Sequence, residues 1–332
     1  MMKAPPQSGP FDPWRFADHM PYQLSATERF SIVEAPIRDN FAEAVCAGLD
    51  QRPRSIPPRF FYDARGSELF ERICALPEYY VTRTELAILE RHAHELPPTD
   101  TVIEFGCGYG AKTRLLFEAF FRARRMMTFV PVDISRRALE ETGRHLADRH
   151  PGLTVRAVRA EFERAYEFLP SHSSLVLFLG SNIGNLDHAD SVRFLRALRG
   201  HKVLVGFDMQ KDPAVLHAAY NDAQGVTAAF NLNLLARINH ELGGTFDLAQ
   251  WRHLALYNAM AGRIEMHLVS TDAQAVRVLG ETHVFGPGER IHTEDSYKFS
   301  EGQIRAIAAE GGLRVEKWWT DEQRWFSVVL LS

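Results

Sequence analysis

An α/β fold built on a doubly wound parallel sheet is predicted by three observations. Short apolar strands alternate with amphipathic helices from residue 101 to residue 209. The first of those strands runs into a glycine-punctuated turn, and a helical pattern opens directly behind it. The chain closes on two further strands, LRVEKWWTD and RWFSVVLL, joined by a polar turn. Strands that are apolar on both faces need helices above and below them, which is the doubly wound arrangement.

Each element follows from its pattern. TVIEF (101–105) leads into Gly106-Cys107-Gly108-Tyr109-Gly110, and Leu115, Leu116, Ala119 and Phe120 then carry helical spacing. Such a turn lets a ligand lie against bare backbone, with helix N–H groups pointing at it. MTFVPVDIS (127–135) reads as a second strand ending in Asp133, with a helix from Arg136 to Arg149 behind it. LTVRAVRAEF (153–162), SLVLFLGSNIGN (174–185) and HKVLVGFDM (201–209) supply the third, fourth and fifth strands. A long helical pattern from Asp212 to Leu242 breaks the alternation, followed by the strand-rich RIEMHLVS (263–270) and HVFGPGERIHTED (283–295). Ser300 and Gln303 form a capping-box pattern that opens a last helix, which runs into Gly311-Gly312. Five parallel strands, a helix and a terminal strand pair are the pattern of a class I methyltransferase, Rossmann-like, with an inserted substrate-binding α+β lobe. The expected boundaries are a disordered tail at 1–20, a substrate-binding domain at 21–83 plus 211–298, and a cofactor-binding domain at 84–210 plus 299–332.

Composition narrows the classes. The chain has 332 residues, of which 45% are apolar and 24% charged, as in an ordinary globular protein. A formal charge of −4 argues against nucleic acid as a partner, because phosphate binding needs concentrated Lys and Arg. The basic clusters Arg122-Ala123-Arg124-Arg125 and Arg136-Arg137 read as solvated helix faces. Cys46, Cys74 and Cys107 are too scattered for a disulfide framework or a zinc site, so a reducing cytoplasm is expected. The Pro-rich start lacks the apolar centre of a signal peptide, and no apolar run reaches membrane-spanning length. No metal is expected: the 14 histidines include no H-E-x-x-H or comparable spacing.

Ligands of open α/β sheets sit at the carboxyl ends of the strands. Glu104 puts a carboxylate near the first strand end, where a cation-bearing cofactor is tolerated better than a pyrophosphate. S-adenosylmethionine, with its sulfonium and ammonium groups, fits best. Asp133, 27 residues after Gly106, suits two ribose hydroxyls. Glu161 can meet an adenine amine and Phe162 can stack on the ring. The loop from Gly180 to Asn185, rich in glycine and amides, can hold a substrate amine or carboxylate beside the methyl donor. Two alternatives remain at this point. GCGYGAKT differs by Ala111 from a phosphate-binding loop with Lys112-Thr113, and Asp208 then reads as a magnesium-strand acid. Gly106, Gly108 and Ala111 also satisfy the dinucleotide pattern of a nicotinamide dehydrogenase, which the terminal strand pair disfavours.

Further motifs are far more specific: FYDARGSELF (61–70), LPEYYVTRTE (76–85), GSNIGN (180–185), YNDAQGVTAAF (220–230), RIEMHL (263–268) and IHTEDSYKF (291–299). Together they resemble the histidine-specific Nα-methyltransferases of ergothioneine biosynthesis, from about residue 25 to the C-terminus. The resemblance implies three successive methyl transfers from S-adenosylmethionine to the α-amine of L-histidine, giving trimethylhistidine (hercynine). It implies cofactor contacts by Tyr62, Gly106, Lys112, Asp133, Glu161 and Phe162. It implies substrate contacts by Tyr79, Gly180, Asn185, Tyr220, Met266, Glu294 and Ser296. Asn185 and Tyr220 would hold the carboxylate, while Glu294 and Ser296 would bond the imidazole. The Gly180 carbonyl and Tyr62 would orient the amine, so Tyr62, Gly180 and Asn185 form the catalytic set. A related enzyme acting on another amine is the alternative, against which Met266 and Glu294 stand. Partners are expected to be L-histidine and its mono- and dimethylated intermediates, with the protein a monomer. The family commonly has a Ser-rich turn where Cys107, Tyr109 and Gly110 stand, Thr at Asn182 and Asp at Glu161.

Overall fold

Strand alternation divides the apolar residues of each central strand between two cores. Val102, Phe129, Leu177, Leu204 and Val328 belong to one, and their neighbours Ile103, Val130, Phe178, Val205 and Val329 to the other. That is why these strands read as unbroken apolar runs. The computed structural model describes residues 29–35, 40–108, 110–123, 126–166, 169–170 and 172–332. The expected tail at 1–20, residues 21–28 of the lobe, Tyr109 of the glycine turn and Arg124-Arg125 lie outside the described residues.

In chain order the strands are β1 (Phe30–Glu34), β2 (Arg54–Ser55), β3 (Thr101–Phe105), β4 (Met127–Asp133), β5 (Leu153–Arg159), β6 (Leu175–Phe178) and β7 (Lys202–Asp208). They continue as β8 (Trp251–Asn258), β9 (Arg263–Ser270), β10 (Gln274–Val278), β11 (Glu281–Phe285), β12 (Arg290–Tyr297), β13 (Val315–Thr320) and β14 (Phe326–Leu331). The helices are α1 (Phe41–Asp50), α2 (Ala64–Cys74), α3 (Tyr80–His92), α4 (Ala111–Ala123), α5 (Arg136–Arg149), α6 (Phe162–Ala165), α7 (His188–Ala197), α8 (Pro213–Tyr220), α9 (Val226–Leu242) and α10 (Glu301–Glu310).

The large sheet has eight strands in the order β1-β5-β4-β3-β6-β7-β14-β13. The first six run parallel, and β14 is antiparallel to both β7 and β13. The chain moves outward from β3 through β4 to β5 and then crosses to β6 and β7, so the switch point lies between β3 and β6. Helices α3, α4 and α5 cover one face through Leu89, Phe117 and Leu146. Helices α7 and α10 cover the other through Leu195 and Ile304. The capping box at α10 forms with both reciprocal bonds. This is the class I methyltransferase sheet, with one strand added at its edge.

That added strand corrects the expected boundaries. Residues 30–34 pair in parallel with β5 and belong to the large sheet, not to the lobe. Their alternation is too short and too half-exposed to identify them before pairing is known. Helix α3 also runs uninterrupted across the expected division at residues 83 and 84. Two strands are shorter than their apolar patterns. β5 stops at Arg159, which puts Glu161 at the N-cap of α6 instead of on the strand. β6 stops at Phe178, because Gly180 (φ 79°) and Ser181 (φ 57°) both adopt left-handed backbone and turn the chain. The helical pattern 212–242 is broken between α8 and α9, where Asp222 accepts from Val226 N and Thr227 N, both at 2.8 Å.

In the lobe a four-stranded sheet, β2-β12-β9-β8, carries α9 across it. Phe230, Leu234, Met266 and Leu268 share one continuous core with Val102 and Leu204, so the lobe is folded onto the large sheet. β12 contains the decisive irregularity. His292 pairs with His267 but Glu294 pairs with Met266, so Thr293 is an extra residue, a β-bulge. Its hydroxyl donates to Asn231 Oδ1 (2.9 Å) and Met266 O (3.1 Å) and is fully buried. Beyond the bulge the alternation is reset, and Glu294 and Ser296 share the face of Met266 and Ile264.

Candidate active site

At the end of β3, Gly106 has φ 73°, and a side chain there would meet Asn182 Nδ2 at 2.8 Å and Phe162 Cζ at 3.4 Å. The glycine turn, the α6 entrance and the loop after β6 therefore converge at the switch point. Asp133 ends β4 with Oδ1 accepting from Ser135 N (2.9 Å) and Oδ2 from Gly108 N (3.3 Å). Burial raises its pKa, while these N–H groups oppose the shift. Phe162 packs edge-on against Phe105 (5.7 Å) and Phe178 (5.6 Å). Glu161 lies 3.5 Å from Arg59 Nε, so a nearby guanidinium shares its carboxylate.

Behind this crevice stand two buried carboxylates. Glu104 accepts from Thr113 Oγ1 at 2.5 Å, and burial lifts its pKa to about 8 against the pull of Thr113 and Lys112. Glu85, fully buried on α3, accepts from Gly180 N at 2.9 Å with both oxygens and pairs with Lys112 Nζ at 2.5 Å. Lys112 is thus anchored from beneath, with one-fifth of its side chain exposed at the crevice. The set fits a nucleoside cofactor: open backbone at Gly108, a ribose-sized carboxylate at Asp133 and an aromatic at Phe162, while Glu104, its pKa raised by burial, holds a proton and adds no charge beneath.

The lobe supplies the opposite wall. Tyr62 follows a 3-10 turn (Pro58–Phe61) and meets Phe70 at 5.7 Å and Phe230 at 5.8 Å, edge-on. Tyr79 lies edge-on to Tyr220 at 6.2 Å. Burial drives the Tyr62 hydroxyl well above the usual phenol pKa, with Glu294, Cys74 and Asp133 adding to it. Tyr79 shifts the same way, through burial and then Tyr220, Cys74 and Glu294. Glu294 thus lies within electrostatic reach of Tyr62, Tyr79 and Tyr220, and Asp133 within reach of Tyr62. Glu294 is enclosed by protein yet still reached by water, and burial raises its pKa while Asn185 lowers it.

Asn185 Nδ2 donates to Glu294 Oε1 and to the Asp295 carbonyl, both at 2.8 Å. Only its Oδ1 is left for a ligand, so a carboxylate held by Asn185 would have to displace one of those bonds. Tyr220 Oη and Ser296 Oγ lie 2.8 Å apart. Lys298, 1% exposed, donates to Tyr220 Oη (3.0 Å) and Ser296 Oγ (2.8 Å) and pairs with Asp208 (2.9 Å). Asp208 also takes Lys211 and the Tyr80 hydroxyl, the latter at 2.7 Å. Met266 is buried directly across the strand pair from Glu294.

This arrangement removes the nucleotide-hydrolase alternative. Asp208 is fully buried and saturated by two lysines and a tyrosine, which leaves it no oxygen for magnesium, and Lys112 is tied to Glu85. Among the described residues there is no group of three or more His, Cys, Asp or Glu able to hold a metal, and no helix long and apolar enough to cross a membrane. Sequence reasoning missed Glu85, Asp208 in its true setting, and Lys298. Lys298 lies one residue past the end of β12, inside the motif IHTEDSYKF, but its partner Asp208 is distant in sequence, so nothing local marked it as a buried ion.

The chain matches the family model described as histidine-specific methyltransferase, SAM-dependent, over residues 41–332. It is 43% identical over 298 residues to the histidine N-alpha-methyltransferase of Mycolicibacterium smegmatis, covering 85% of this chain and 93% of that one. The Mycobacterium tuberculosis histidine N-alpha-methyltransferase is 41% identical over 299 residues, with 87% and 93% covered. Ergothioneine biosynthesis protein 1 of Neurospora crassa is 32% identical over 285 residues, which is 81% of this chain but 32% of that one. With the switch-point crevice and the bulged lobe strand in place, the chain belongs to the S-adenosylmethionine-dependent, histidine-specific methyltransferases.

Proposed function

We propose that this enzyme transfers three methyl groups in succession to the α-amine of L-histidine, yielding the trimethyl betaine hercynine. The observation that carries the reading is the meeting of the two walls, where Asn185 of the donor-side loop bonds Glu294 of the lobe. When bound, S-adenosylmethionine supplies an electrophilic methyl carbon on sulfur and departs as a neutral thioether. Gly106, Asp133, Glu161, Phe162 and Lys112 would hold it, with Tyr62 closing the site from the lobe.

Only an unprotonated amine can attack, and the positive sulfonium of the donor beside it would favour that form. The residues act by position. Tyr79 and Tyr220 line the cleft and exclude water, Met266 supports the ring, and Glu294 and Ser296 fix the imidazole. Ser181 holds the amine-side loop with its hydroxyl accepting from Asp208 N at 3.1 Å. Orientation of this kind contributes up to about 7–11 kcal/mol toward a bimolecular barrier. Each of the first two transfers leaves an ammonium that must shed a proton before the next. The Tyr62 hydroxyl stays protonated because burial raises its pKa, so as a relay it would take the ammonium proton on its oxygen as its own O–H proton moves to water, remaining a neutral phenol.

We read the enzyme as a cytoplasmic monomer that accepts histidine and its partly methylated forms. The test is incubation with S-adenosylmethionine and each amino acid, with products weighed by mass spectrometry. A gain of three methyls on histidine alone is expected. Methylation of tryptophan or another amine in preference to histidine would overturn the reading.

A further inference from the structure

Glu85 is fully buried on α3, and protein groups do for it what water cannot. Both of its oxygens accept from Gly180 N at 2.9 Å, and Oε2 takes the Lys112 ammonium at 2.5 Å. Strand β7 leaves it room: a side chain at Gly206 would meet Glu85 Oε1 at 2.0 Å. Lys112 lies directly beneath the turn after β6, since a Cβ on Gly180 would stand 3.0 Å from its Nζ. Asp133 and Phe162 suit the ribose and the adenine, which leaves this corner to the sulfonium end of the donor. A sulfonium is a cation, and an unbalanced lysine there repels it. Glu104 gives no relief, because burial keeps its proton on near neutral pH. Asp208 gives none either, because Lys211 and Lys298 already share it.

We propose that Glu85 is a positioning residue that acts through Lys112: by cancelling the lysine charge beneath the Gly180 turn, it sets the preference between the sulfonium donor and its thioether product. S-adenosylmethionine and S-adenosylhomocysteine differ by one methyl group and one positive charge. Every other contact with the nucleoside is common to both. Their relative affinity therefore reads the local charge, and a buried pair is screened by salt far less than an exposed one. With Glu85 in place, Lys112 is anchored and neutralised, and the cation enters the crevice without opposition. Without that carboxylate the site favours the neutral product, which then holds the enzyme after each transfer.

Glu85→Gln separates this role from simple support of the turn. It keeps a carbonyl oxygen that accepts from Gly180 N and removes the charge. Gly206→Ala acts independently, driving the acid away without altering it. Dissociation constants for S-adenosylmethionine and S-adenosylhomocysteine are measured by calorimetry on the full chain, with no amino acid present, so the outcome does not depend on the histidine reading. The wild type, Glu85→Gln, Lys112→Gln, the double variant and Gly206→Ala are compared. The quantity read is the ratio of the donor's dissociation constant to the product's.

Glu85→Gln is expected to raise that ratio at least about fivefold, even where both affinities fall, because a lysine left unbalanced repels only the cation. Gly206→Ala moves it the same way. Lys112→Gln moves it in the opposite direction, since the acid is then unopposed, and the double variant returns to within about twofold of the wild type. A purely structural role weakens both ligands together and leaves the ratio where it was. An unchanged or lowered ratio in Glu85→Gln therefore overturns the proposal. Should Glu85→Gln fail to fold, Lys112→Gln decides: a lowered ratio supports the proposal, and an unchanged or raised one overturns it.

Discussion

Asn185 and Glu294, 109 residues apart in the chain, are joined by a 2.8 Å hydrogen bond from Nδ2 to Oε1. One stands on the loop that leaves the parallel sheet after β6, the other on the bulged strand β12 of the lobe. Glu294 thus faces the donor side of the cleft, with a partner that holds its orientation.

Replacing Glu294 by Ala is expected to weaken histidine binding by about 1.5–3 kcal/mol, the worth of a hydrogen bond to a charged group. Affinity for S-adenosylhomocysteine should change far less. Calorimetry with both ligands checks this, and equal losses would show that Glu294 has no preferential contact with the amino acid.

Asp133→Asn should give the reverse pattern. Its carboxylate is held by Ser135 N and Gly108 N, which fixes both oxygens at the mouth of the glycine turn. Cofactor affinity is expected to drop by about 1.5–3 kcal/mol while the KM for histidine stays within a few-fold. A larger effect on histidine than on cofactor counts against the ribose assignment.

Glu104 makes a pH prediction. Burial raises its pKa to about 8 in the folded protein, against about 4.3 in an unfolded chain. The folded state holds a proton that the unfolded state has released, so this group's contribution is complete below about pH 4.3 and is lost as pH rises through about 8. Glu104→Gln removes the dependence. Its melting temperature should exceed that of the wild type by a margin that widens from about pH 5.5 to about pH 8. A margin independent of pH would refute the assignment.

Asp208→Asn should be the most damaging of these substitutions to stability. Burial alone would raise the Asp208 pKa, but Lys298 and Lys211 hold it below the usual carboxylate value. Without that charge two lysines lie in the interior opposite an amide. The expected cost is about 3–5 kcal/mol, read from the urea midpoint. A loss under about 1 kcal/mol would mean that water reaches the pair.

Local pattern by itself determined the alternating strands and helices, the glycine turn at Gly106, the capping box at Ser300 and the identity of the motif segments. Each depends on neighbours in sequence: periodicity, a hydroxyl three residues from an N–H, a glycine where a side chain would collide. Tertiary structure alone decided that Phe30–Glu34 is a sheet edge, because a half-exposed strand is recognised only through its partner. It also decided which face Glu294 occupies, since one extra residue at Thr293 reverses every later side chain on the strand. The buried ions Glu85, Asp208 and Lys298 were invisible for the same reason. A charge is stable inside a protein only beside its counter-charge, and folding brings Lys298 to Asp208 and Lys112 to Glu85 from distant stretches of chain.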